Sequence, residues 1–143
     1  LAYSSGVLTK PIRFAGNPTA RLFVSANTTD ADWVVKLVDV HPNGFAQNIA
    51  VGVLRGRFRE SLLQPKLLEP GKVYEIEVDL GPVAATIEKG HELRVNICGA
   101  HFPLFDRNPN TGIGPYDGSS IKSTERVYHT RSMPSAIVLP IIQ

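Results

Sequence analysis

Four histidines, His41, His91, His101 and His129, are the side chains best suited to moving a proton or holding a transition metal. His91 and His101 bracket one predicted strand, and Asp106 follows, so residue types alone allow a metal site or a Ser/His/Asp set. Such groups must converge, and no two of these histidines have compact metal-ligand spacing. The expectation is no metal, no cofactor and no catalytic residue in this chain. His91 then opens a strand beside a turn, and His101 braces a loop.

The other candidates divide in the same way. Asp30, Asp32 and Asp39 could be calcium ligands, but calcium wants six or more oxygens. Asp30 and Asp32 sit in a polar turn and are expected to cap it. Asp39 falls in an apolar strand and needs a partner if buried, with Lys36 or an arginine of the next strand the natural choice. Arg55, Arg57 and Arg59 alternate along one predicted strand face. They suit a phosphate or carboxylate ligand, an ion-paired surface, or a contact with another domain. Trp33 could stack on a sugar, yet it begins an apolar run and is expected in the core. Cys98 has no basic neighbour in sequence and is also read as core. No G-x-S-x-G occurs, and no strand–glycine loop–helix for nucleotide phosphates.

The elements that would position these residues are strands. Residues 72–80 alternate most cleanly: Tyr74, Ile76, Val78 and Leu80 inward, Glu75, Glu77 and Asp79 outward. Residues 33–40 are nearly all apolar, as in a central strand covered on both faces. His41-Pro-Asn-Gly44 is a hairpin turn leading into a long strand over 45–59. Residues 83–87 and the alternating Leu93, Val95 and Ile97 give two more. Residues 1–16 hold one weak strand at most, interrupted by Pro11, and 127–130 and 135–142 close the chain. The 113–123 segment is Gly- and Ser-rich and is expected to be mobile. About eight short strands and no defensible helix predict an all-β sandwich or barrel forming a single domain.

Composition narrows function further. The 143 residues suffice for one real core, and 12 glycines with 11 prolines suit tight turns. A formal charge of +2 without a run of like charges gives no footprint for nucleic acid. The single cysteine excludes an intrachain disulfide, and no apolar run has membrane-spanning length. With Leu1 in first position the chain reads as a piece of something longer, while 136–142 reads as a natural end.

Three segments carry a resemblance: TARLFVSANTTDADWVVKLVDVHPNG at 19–44, GVLRGRFRESLLQP at 52–65, and EPGKVYEIEVDL with IEKGHELRVNICGAHFPLFDRNPNTG at 69–80 and 87–112. The ending PSAIVLPII, at 134–142, adds to them. Together they resemble the C-terminal domain of the cocaine esterase and X-prolyl dipeptidyl-peptidase family, also called CocE/NonD. The resemblance implies a jelly-roll sandwich, similar to galactose-binding domains. It implies a parent that is a bacterial serine hydrolase of esters or amides, with the triad in an α/β-hydrolase domain under a helical cap. No triad residue maps onto this chain, so the chain alone is expected to be inactive. The first part of the family's jelly roll would also precede Leu1, which could leave an edge strand unpaired.

The expected partners are therefore the α/β-hydrolase and cap domains of the parent, with no nucleic acid and no membrane, and a homo-oligomer as a further possibility. The alternative is a free-standing carbohydrate-binding or dimerisation sandwich. Candidates for the interdomain contact are Arg55, Arg57 and Arg59 with the loop residues His101, Phe102, Leu104, Phe105, Asp106, Arg107 and Asn108. An aperiodic apolar cluster beside charged groups has the anatomy of a domain contact. In the isolated chain it should promote self-association.

Overall fold

The computed structural model describes residues 1–114, 116 and 118–142; Pro115 and Asp117, within the Gly- and Ser-rich segment, lie outside the described residues. Eight strands of five or more residues carry the fold: β1 (Ala2–Val7), β2 (Ile12–Gly16), β3 (Thr19–Ala26), β4 (Asp32–Val40), β5 (Ala46–Arg55), β6 (Tyr74–Asp79), β7 (Val83–Ile87) and β8 (Glu92–Cys98). Four short ones follow: β9 (Glu125–Val127), β10 (His129–Thr130), β11 (Met133–Pro134) and β12 (Ala136–Val138). Among the described residues the only helical element is a 3₁₀ turn at Gly56–Phe58. Among those residues no helix is long and apolar enough to cross a membrane.

Every strand pair is antiparallel. One sheet runs β1-β8-β4-β5, a second runs β12-β3-β6 with β9 alongside β3, and β2–β7 and β10–β11 form separate ribbons. One core lies between them, with Leu22, Val24, Ile76 and Val78 from the second sheet meeting Val35, Leu37 and Ile97 from the first. Phe14 and Ile87 of the β2–β7 ribbon, both fully buried, belong to the same core. Burying each such large apolar side chain contributes about 1.5–3 kcal/mol. The architecture is a β-sandwich.

β4 is the central strand its composition predicts, flanked by β8 and β5, with Trp33 only 1% exposed. β6 has the predicted phase: Ile76 and Val78 are buried, Glu75, Glu77 and Asp79 exposed, and Tyr74 half-buried. β5 passes so close to β6 that a Cβ on Gly52 would lie 2.1 Å from the Asp79 carbonyl oxygen.

Two expectations are corrected. Residues 1–16 form two strands, and Pro11 lies between them. β1 is a mostly exposed edge strand with a register shift between Ser4 and Val7, so no alternation marks it. The predicted strand over 45–59 ends at Arg55. There the Gly56 amide donates to the Ala31 carbonyl at 2.7 Å and the chain turns inward. A Cβ on Gly56 would meet Leu68 at 2.9 Å and Trp33 at 3.0 Å, so the turn packs directly on the core.

Candidate functional site

At the start of β4 two carboxylates lie almost out of solvent, Asp30 at 0% and Asp32 at 3% exposure. They are not turn caps, as their local sequence predicts, but the floor of a cluster drawing donors from two other segments. Arg55, at the end of the neighbouring strand and in register with Asp32, grips it with both Nε and Nη2 at 2.9 Å. This planar two-point fit is the strongest form of such a pair. The Arg57 amide donates to Asp30 Oδ1 at 3.0 Å, and its guanidinium lies 3.6 Å from Asp30 Oδ2. Asn108 bridges the two acids, its Nδ2 donating to Asp30 Oδ2 at 3.1 Å and Asp32 Oδ1 at 2.7 Å.

That bridge seats the loop over 101–112. Asn108 Oδ1 accepts the Asn110 amide at 2.9 Å, and Asn110 adopts a left-handed φ of 65°, which asparagine tolerates well. Arg55 Nη2 donates to the Asp106 carbonyl at 3.1 Å, and Arg57 Nη1 to the Gly112 carbonyl at 3.3 Å. Thr29 Oγ1 adds a bond to the Thr111 carbonyl at 3.2 Å. A loop without strand periodicity is thus held by side chains reading its backbone.

Burial pushes the Asp30 carboxyl upward, against the Arg57 amide and Asn108, which favour its charged form. The hydrogen bonds from Arg55 to Asp32 raise the Arg55 guanidinium and keep it charged. Glu125 of β9 is also raised, by burial first and by the nearby Asp32 charge in addition, with a Ser123 hydrogen bond opposing.

The arginines do not share a strand face, because the chain leaves the sheet at Gly56. Arg59 donates to the carbonyls of Gly56 and Lys66 at 3.0 and 2.6 Å and lies 4.4 Å above the Tyr74 ring. The side chains of Arg55, Arg57 and Arg59 are 18%, 13% and 8% exposed and serve internal acceptors. The exposed tip of the loop instead combines apolar side chains with Asp106 and Arg107 beside them. Phe102 and Leu104 are 64% and 61% exposed, while Phe105 and His101 are half-buried. The Phe105 amide bonds the His101 carbonyl, and Arg107 lies 5.7 Å from the Phe102 ring centroid. Pro103, Leu104, Phe105 and Asp106 line an open cleft of about 420 Å³ together with Val53, Arg55 and Phe58.

Sequence reasoning did not find Leu62 and Leu63, both strongly exposed, in the loop that joins the 3₁₀ turn to β6. Leu67 of that loop packs beside Gly112, so the two loops meet at this end. Paired leucines in a Pro-flanked aperiodic stretch were the available signal.

The remaining candidates fall elsewhere. Asp39 pairs not with Lys36 or an arginine but with His91, whose Nδ1 lies 2.8 Å from Asp39 Oδ1; His41 Nε2 is 3.5 Å from Oδ2. These histidines therefore do converge. His129 Nε2 bonds the Tyr3 hydroxyl at 2.7 Å. Cys98 is half-buried, its thiol donating to the Ala100 carbonyl, so it is not the core residue its sequence suggested.

In the cluster beneath the loop both carboxylates are taken by internal donors, so it supplies position and not proton transfer. Four charged side chains, the buried Asp30 and Asp32 and the half-buried Arg55 and Arg57, hold a loop whose tip exposes apolar groups, an arrangement with the character of an accessory domain. The family described as the X-Pro dipeptidyl-peptidase C-terminal non-catalytic domain matches residues 1–138, and this chain belongs to it. It is 40% identical to cocaine esterase of Rhodococcus sp. (strain MB1 Bresler), over all of this chain and 25% of that protein. A putative serine esterase of Mycobacterium bovis is 30% identical, again over the whole chain and 24% of that protein. The chain thus spans about a quarter of these relatives. Among solved structures, an aminopeptidase from a marine sediment Thaumarchaeota archaeon superposes with a TM-score of 0.92 at 39% identity, covering all of this chain and 26% of its own. An α-amino acid ester hydrolase gives 0.92 at 34% identity, covering 99% and 25%.

Proposed function

We propose that this chain is the part of a serine ester or amide hydrolase that packs against its catalytic and cap domains, and that the 101–107 loop is the contact. The observation that carries this reading is the pairing of a rigid seat with an exposed apolar tip. Asp30, Asp32, Arg55 and Asn108 fix the loop, yet Phe102 and Leu104 remain in solvent. Ordering a loop costs conformational entropy, and holding large apolar groups outward returns nothing unless something covers them. The relatives are about four times the length of this chain, which supplies the partner surface. The sugar-binding alternative draws no support from Trp33, which is buried in the core.

Hydrogen exchange tests the contact. The backbone amides of 101–107 should exchange markedly more slowly in a longer protein containing the hydrolase domain than in the isolated chain. Equal exchange in both would remove the loop from the interface. The isolated chain should also leave p-nitrophenyl acetate and Gly-Pro-p-nitroanilide unhydrolysed. Turnover abolished by a serine-directed phosphonate would overturn that expectation.

A further inference from the structure

We propose that Asp39, His41 and His91 form a binding site for a divalent transition cation, with zinc the best fit. The site lies near the other end of β4 from the loop cluster. Asp39 is seven residues beyond Asp32, roughly 23 Å along a strand.

The strand register builds it. β4 and β8 pair Asp39 with Leu93 and Val40 with Glu92. One further step in the same register sets His41 opposite His91, just past the last ladder pair. Asp39 and His41 are two residues apart, hence on one face, and His91 joins that face from across the strands. Both histidines are fixed through their backbones. The His41 amide donates to the Phe45 carbonyl at 2.8 Å, closing the hairpin, and the His91 carbonyl accepts the Leu8 amide at 2.8 Å. Their ring centroids are 4.3 Å apart, and Phe45 packs edge-on against His41 at 5.3 Å.

One ligand atom from each of the three residues lies within 4.8 Å of the others. Tetrahedral zinc, with bonds of about 2.0–2.2 Å, holds its ligand atoms roughly 3.3–3.6 Å apart. His41 Nε2 lies 3.5 Å from Asp39 Oδ2, within that spacing, while His91 Nδ1 lies 2.8 Å from Oδ1, closer than it, so a bound ion would replace the His91–Asp39 hydrogen bond with a slightly wider separation. Two imidazoles and one carboxylate are a donor set zinc accepts, with water in the fourth position. His41, 31% exposed, leaves an approach from solvent.

An independent observation points the same way. His41 Nε2 is buried and makes no hydrogen bond, although Asp39 is beside it. With the His91–Asp39 brace alone that nitrogen sits 3.5 Å from Asp39 Oδ2 and makes no hydrogen bond, whereas a cation would occupy all three groups. Bound metal would tie the β4–β5 hairpin to the turn entering β8.

The test is zinc titration of the EDTA-stripped chain by calorimetry, with folding of every variant checked by circular dichroism. His41→Phe keeps a ring between Phe45 and His91 but removes a ligand; Asp39→Asn keeps the shape and removes the charge. The native chain should bind one zinc, and zinc should raise its melting temperature. Each variant should weaken binding by more than about tenfold, the loss that removal of even an outer partner can cause. His129→Ala, remote from the site, should change nothing. Failure to bind one zinc saturably, undiminished binding in both ligand variants, or an equal loss with His129→Ala would overturn the proposal.

Discussion

Asn108→Ala probes the seat of the loop directly. The carboxamide gives one hydrogen bond to each of two buried carboxylates and accepts one from the Asn110 amide. Bonds to charged groups contribute about 1.5–3 kcal/mol each, and a neutral one about 1. Simple addition overstates the loss, because Asp32 keeps the two-point grip of Arg55 and Asp30 keeps the Arg57 amide. Water must also enter to replace the lost donor, which requires the loop to lift. A net loss of about 2–4 kcal/mol follows. Urea unfolding measures any global share of it. If the loop detaches alone, the Asn110 and Ile121 amides, which bond Asn108 and the Pro109 carbonyl, should exchange faster while the urea midpoint holds. Asn108→Asp should be worse than alanine, since it sets a third carboxylate against Asp30 and Asp32. A cost below about 0.5 kcal/mol with unchanged exchange, or an aspartate variant as stable as the wild type, would refute this account of the cluster.

Gly52→Ala places a Cβ 2.1 Å from the Asp79 carbonyl oxygen, a backbone atom, so unfolding by urea should show a loss at or above the upper end of about 1–3 kcal/mol; a loss under about 0.5 kcal/mol, the range of surface substitutions, would mean the two strands separate easily. Glu125→Gln tests the raised carboxyl. Its folded pKa lies above the unfolded one, so stability is fullest below the ordinary carboxylate range and falls as pH rises through the raised value. Glutamine cannot ionise and can still accept from Ser123, so the melting temperature of the variant should gain on wild type between pH 4 and pH 7.5; a constant difference would show that Glu125 is not destabilised by burial.

Much of the fold was legible because period and burial agree. The alternation over 74–80 fixes the face of β6, and the apolar run 33–40 marks β4 as central. Edge strands escape such reading, as β1 does, because an exposed strand has no inside to alternate with. The end of β5 was hidden by three arginines at alternate positions, where Gly56 packing on Trp33 and Leu68 overrides the pattern. The loop was recognisable from residue types, since Phe102 and Leu104 lie where no strand needs them. The roles of Asp30 and Asp32 were not, because their donors come from segments more than twenty and seventy residues away. His41 and His91 look unrelated at their separation in sequence, and only the β4–β8 register brings them together.

The central claim, that the loop tip is a domain contact, is tested most directly by comparing Phe102→Ser/Leu104→Ser in two contexts. Both side chains are more than half exposed in the isolated chain, so its melting temperature should stay nearly unchanged, and any self-association should weaken. Within a longer protein carrying the hydrolase domain, the same pair should lower stability by about 2–4 kcal/mol, the transfer value of two partly exposed apolar side chains becoming covered. Destabilisation of the isolated chain, or an unaltered longer protein, would place the contact elsewhere.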